Sequence, residues 1–84
     1  MYTGVPAITG KQLIKLLQRD GGVIGRRATH GVTLTRAFSQ RTRVTFVPNT
    51  RSSPDTGTLM AILGNKQTGL GRAGLLALLN KYGL

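Results

Sequence analysis

Gly31-Val32-Thr33-Leu34-Thr35-Arg36 alternates between two kinds of side chain. In an extended chain Val32, Leu34 and Arg36 share one face, and Thr33 and Thr35 share the other. That is the period-two pattern of a strand with one face covered. The neighbouring stretches continue it. Val23 and Ile24 begin a β-type run that continues into Arg26 and Arg27. Residues 37–42 are a polar, basic turn. Arg43-Val44-Thr45-Phe46-Val47 is a third β-branched run, stopped by Pro48. Three strands with short connections predict an antiparallel meander, one face covered and one open. Arginines recur along all of them, at Arg26, Arg27, Arg36 and Arg43.

The covering elements lie on either side in sequence. Thr9-Gly10-Lys11-Gln12 has the spacing of a capping box, a hydroxyl at the cap and an amide three residues on. Leu13, Ile14, Leu16 and Leu17 follow at helical spacing. Asp20-Gly21-Gly22 ends the helix, since glycine tolerates the left-handed position after it. Residues 49–56 read as loop. Gly57-Thr58 opens Leu59-Met60-Ala61-Ile62-Leu63, long enough for one or two helical turns. A second loop follows over residues 64–71. It has glycine at both ends but no Gly-Lys-Ser/Thr and no preceding strand, which rejects a phosphate loop. Residues 72–82 form a closing helix, with Leu75, Leu76, Leu78 and Leu79 as its apolar stripe and Gly83 as its C-cap. The expectation is a single α+β domain over residues 1–84. It has a three-stranded antiparallel sheet and helices packed on one face, in the order α-β-β-β-α with an extra short helix before the last.

Charge narrows the function. Twelve Lys and Arg stand against two acids, a formal net charge of +10 over 84 residues. A solvated surface usually mixes signs, so this imbalance favours a polyanionic partner, nucleic acid before an acidic protein or an anionic membrane. The alternatives are a solubility device or a ribosome-bound protein. There is no cysteine. Disulfides and thiolate metal sites are therefore excluded, and an intracellular, cytoplasmic protein is expected. No apolar run approaches the roughly 18 residues of a membrane span, and no charged region leads into a long apolar one at the N-terminus. Asp20 and Asp55 are too few to cage Mg²⁺ or Ca²⁺, which take several oxygen ligands. No metal or other cofactor is expected.

The chemistry points to Arg26-Arg27-Ala28-Thr29-His30, which contains the only histidine. RNA cleavage without metal needs a base near the 2′-hydroxyl, a proton for the leaving 5′ oxygen and cations around the phosphate. Histidine as a residue type suits the proton work near neutral pH. The planar fork of arginine suits the phosphate. Strand alternation puts Arg26 and Arg27 on opposite faces, so one of the two reaches the phosphate. Thr29 is placed to hold substrate or a water. A second proton-transfer group must come from Tyr2, Tyr82, a lysine or water, or His30 acts in turn. Lys11, Lys15 and Arg19 recur every four residues on the first helix and make a stripe that suits a phosphate backbone. Arg36 and Arg43 complete the candidate RNA-binding set. No serine or carboxylate constellation offers a rival catalytic centre.

These pieces, in this order, resemble the HicA toxins of bacterial type II toxin–antitoxin modules. The matching pieces are residues 9–17, Asp20-Gly21, residues 27–30, residues 43–48, residues 57–63 and the closing stretch from Gly71 to Leu84. The likeness spans roughly residues 8–84. It implies a fold like a double-stranded-RNA-binding domain. It also implies a metal-independent ribonuclease that cuts mRNA and is neutralised by a HicB-like antitoxin protein in a hetero-oligomer. The family's catalytic histidine lies in a Gly-Ser-His motif, and here that slot reads Ala28-Thr29-His30. The catalytic role transfers to His30, Thr29 keeps the hydroxyl, and Ala28 departs from the glycine. Gly22 stands where members often carry an aromatic residue. The competing expectation is a non-catalytic RNA-binding module of the same fold, or an inactive toxin relative.

Overall fold

The capping box forms as the spacing predicts. In a computed structural model that describes residues 2–37 and 41–84, helix α1 spans Gly10–Arg19. The Gln12 amide N–H donates to Thr9 Oγ1 (3.1 Å), and the Thr9 N–H donates to Gln12 Oε1 (2.9 Å). Leu13, Ile14, Leu16 and Leu17 are buried on one face. The helix stops at Asp20, and Gly21 follows with φ of 99°.

The sheet is the predicted meander. Strands β1 (Val23–Arg27), β2 (Gly31–Ala37) and β3 (Thr42–Pro48) lie in that order, antiparallel throughout. Residues 38–40 of the predicted turn lie outside the described residues. Helices α2 (Thr56–Leu63) and α3 (Gly71–Tyr82) follow, and α3 ends at Gly83 with φ of 76°. Val32, Leu34 and Val47 of the sheet are buried with the apolar stripe of α1, with Ile62 and Leu63 of α2, and with Leu75, Leu78 and Leu79 of α3. All helices therefore cover one face. Burying each such side chain contributes about 1.5–3 kcal/mol.

Two local features fix what this frame presents. In β1 the pairing runs Val23 to Thr35 and Ile24 to Leu34, then skips Gly25 and resumes at Arg26 to Thr33 and Arg27 to Val32. The extra residue is a bulge, and it reverses the alternation beyond it. Without it Arg26 would share a face with Ile24. With it Arg27 joins the helix-covered face, and Arg26 joins the open face with Val23, Thr33, Thr35, Val44 and Phe46. The second feature is the approach of α1 to the end of β3. A Cβ built on Gly10 would lie 1.9 Å from the Pro48 carbonyl oxygen, so any side chain there would push the helix off the sheet.

The outer edge of β3 is partly covered. Pro48 has no N–H, and the Phe46 N–H donates to Gln67 Oε1 (3.3 Å) from the loop before α3. Edge pairing with another chain is thereby discouraged.

Candidate nucleic-acid interface

One end of the sheet gathers cations. Arg27, on the helix-covered face of edge strand β1, lies beside α1. Together with Lys11, Lys15, Gln12, Gln18 and Asn49 it lines an open groove whose floor is Ile14 and Val32. The Lys11 ammonium donates to Asn49 Oδ1 (3.1 Å). Asn49 in turn donates its backbone N–H to the His30 carbonyl (3.4 Å). The β1–β2 hairpin tip, which is Thr29 and His30, is thus tied through Asn49 to the cationic wall of the groove. Ala28 closes the hairpin by donating its N–H to the Gly31 carbonyl (2.8 Å). His30 and Thr29 are exposed.

The departure at Ala28 has a backbone explanation. Among the described residues no non-glycine residue has positive φ. The hairpin makes no demand at Ala28 that only glycine meets, and the Cβ is tolerated. Gly22 is likewise explained. Its N–H donates to the Leu17 carbonyl (2.9 Å), and a Cβ there would lie 2.8 Å from that oxygen. The backbone contact that closes α1 leaves no room for an aromatic side chain at this position.

The first turn of α1 is not an anion site, although helix N-termini often are. The Gly10 and Lys11 N–H groups donate to the Ser52 and Thr50 carbonyls (3.2 and 2.9 Å), and the Gln12 N–H is taken by Thr9. Any phosphate in the groove is held by side chains.

The other predicted cations go elsewhere. Arg26 lies on the open face. Arg19 continues the Lys11 and Lys15 stripe in sequence, but its guanidinium reaches the Tyr82 carbonyl at the end of α3 (3.4 Å). Arg36 pairs with Asp20, whose side chain is 14% exposed. Arg43 donates to the Asn65 and Gln67 carbonyls (2.9 and 3.3 Å). These last two lie at the opposite end of the sheet from His30. There they wall an apolar recess with Leu17, Leu34 and Leu70. Lys11, Lys15 and Arg27 come together in the groove, to which the His30 backbone is linked through Asn49, and Arg19, Arg36 and Arg43 do not join them.

Neither acid of the chain opposes the groove. Asp20 is paired, and Asp55 caps α2 by accepting the Thr58 N–H (2.7 Å). Hydrogen bonds from the Thr58 backbone and side chain, with a further one from Gly57, hold the Asp55 carboxyl below its ordinary value. Tyr2 is clamped to α3, its N–H on Asn80 Oδ1 (2.6 Å) and its carbonyl on Asn80 Nδ2 (3.1 Å). Tyr82 lies under the Lys81 ammonium. Neither tyrosine lines the groove, so of the candidates for a second proton-transfer group the lysines are the side chains that do.

Asn49, Gln12 and Gln18 are site residues that sequence reasoning passes over. Asn49 had a signal: it continues the alternation of β3 one residue beyond Pro48, on the parity of Val47. Among the described residues no three His, Cys, Asp or Glu side chains come together to hold a metal ion, and no helix is long and apolar enough to cross a membrane. No family model, curated protein or solved structure matches the chain.

Proposed function

We propose that this protein is a metal-independent endoribonuclease toxin of HicA type. The observation that carries it is the hydrogen-bonded link from the His30 hairpin through Asn49 to Lys11, beside a groove walled by Lys15 and Arg27. The resemblance in sequence, with the double-stranded-RNA-binding-like fold that it implies, supports the same reading.

In the reaction the RNA backbone lies along Lys11, Lys15 and Arg27. The His30 imidazole takes the proton of a 2′-hydroxyl. The 2′ oxygen bonds to the adjacent phosphorus as the bond from phosphorus to the 5′ oxygen breaks. The leaving oxygen takes its proton from a groove lysine or from water. The products are a 2′,3′-cyclic phosphate and a 5′-hydroxyl end, so atoms and charge balance without a metal. Arg27 neutralises the charge that builds on the phosphate oxygens, the role in which preorganised cations contribute most. In cells the substrate is mRNA, and an acidic HicB-like antitoxin neutralises the surface.

Purified protein cleaves RNA in EDTA, and the His30→Ala variant does not, while retaining its thermal transition. Undiminished cleavage by that variant removes His30 from the mechanism. A second reading is favoured by the presence of only one histidine, which leaves the second proton transfer to a lysine or water: a binding module that grips RNA in the same groove and cuts nothing. Salt-sensitive binding without cleavage, unchanged in His30→Ala, selects it.

A further inference from the structure

The open face of the sheet carries an aromatic ring next to the hairpin tip. Phe46 is 45% exposed. A Cβ built on Gly31 would lie 2.3 Å from Phe46 Cζ and 2.6 Å from Cε2, so the ring lies across the Gly31 backbone and is held there. Gly31 directly follows His30. In register, Phe46 pairs with Thr33 and Thr33 with Arg26, so a guanidinium borne on β1 shares the cross-strand row of the ring. The floor between them is a threonine, small enough to leave a flat strip. An exposed π-face in one cross-strand row with a cation, on a strongly basic protein, suits a base of a single strand.

We propose that Phe46 is a stacking platform for one base of single-stranded RNA, adjacent to the phosphate that His30 attends. This rests on the RNA-cleaving reading above and adds a subsite to it. The strand passes over the hairpin end, its backbone in the Lys11, Lys15 and Arg27 groove and one base turned onto the open face. Duplex RNA has no base to offer there, so the platform selects single strands. The charge of the chain argues for this occupant over a second copy of itself, since two chains of net charge +10 repel.

The test uses the full chain carrying His30→Ala, so that bound RNA survives. The probes are a single-stranded RNA 12-mer and inorganic polyphosphate, which offers the charge without the bases. Phe46→Leu keeps apolar cover over Gly31 and removes the π-face. It weakens RNA binding about tenfold, leaves polyphosphate binding unchanged, and Phe46→Tyr restores the loss. The chain has no tryptophan of its own, so a Phe46→Trp variant reports directly. Its emission is quenched by the RNA and not by polyphosphate. Equal RNA affinity for Phe46→Leu and its parent, or emission blind to RNA, overturns the platform and leaves the ring as cover for Gly31 or as a protein-docking face. Polyphosphate binding that persists in that case keeps the groove. Loss of binding to both probes by the parent overturns the groove and the platform together.

Discussion

The two ends of the sheet use the same residue types for opposite purposes. At the far end, Arg36 pairs with Asp20 and Arg43 ties β3 to the carbonyls of the loop before α3. At the hairpin end, Lys11, Lys15 and Arg27 line an open groove that no carboxylate enters. With only two acids in the chain, one paired and one capping a helix, the cations of the groove face no acid. Arginine count alone therefore says little. What separates a structural arginine from a ligand-facing one is whether a backbone carbonyl or an acid lies within its reach.

The largest expected effect is at the hairpin end. His30→Ala lowers the cleavage rate about 10²–10⁴-fold, the contribution usual for a positioned acid–base group, and moves the thermal midpoint little, because the side chain is exposed. Single-turnover kinetics and a melting curve check both halves. At the far end the pattern reverses. Arg36→Ala leaves Asp20 largely buried without its main partner. It costs about 1–2 kcal/mol, less than a fully buried charged hydrogen bond because the Arg36 side chain is itself 38% exposed. For a domain this size that lowers the midpoint by about 4–8 °C per kcal/mol, with cleavage per folded molecule unchanged. A large loss of RNA affinity in Arg36→Ala, at a temperature where it stays folded, breaks the distinction between the ends.

A smaller effect sharpens it. Lys15→Ala weakens binding of single-stranded RNA uniformly across sequences and reduces the slope of log affinity against log salt by about 0.7, the value for one phosphate contact on a single strand. Arg19→Ala, one turn further along α1, leaves that slope unchanged because its guanidinium serves the end of α3. Salt titrations of the two variants side by side decide whether the groove stops between them.

Much of the frame can be read from local pattern. The capping box, the alternation of β2, the stop at Pro48 and the glycine after α3 are each fixed by residues a few positions apart, and each forms. The site is harder, because it depends on pairings between distant segments. Alternation separates Arg26 from Arg27 but does not say which meets the helices. The bulge at Gly25 decides that, and a bulge exists only relative to its partner strand. The stripe of Lys11, Lys15 and Arg19 is correct as a helical spacing, yet its last member meets a carbonyl 63 residues away. Arg36 and Asp20 are 16 residues apart, and Arg43 meets carbonyls of a loop more than 20 residues on. Phe46 reads as one more apolar strand residue until its ring is seen across Gly31.

The smallest effect concerns the second acid and separates frame from groove by pH. The Asp55 carboxyl is held below its ordinary value of 3.8 by the Thr58 and Gly57 donors. A carboxyl with a lowered folded pKa stabilises the fold above its unfolded value, and the contribution is withdrawn as pH falls through the folded one. Acid should therefore loosen the first turn of α2 while leaving the Lys11, Lys15 and Arg27 charges untouched. The Thr58 amide resonance, followed from pH 6 to pH 2, should titrate with a midpoint below 3.8. Asn caps a helix as well as Asp but does not ionise, so Asp55→Asn should keep α2 and flatten the titration. A Thr58 amide that titrates unchanged in that variant would move the acid response away from the cap. If polyphosphate affinity falls in step with the Thr58 titration in the parent, the groove depends on how α2 is capped. Constant affinity over that range means the cations of the hairpin end act independently of how the rest of the frame is fastened.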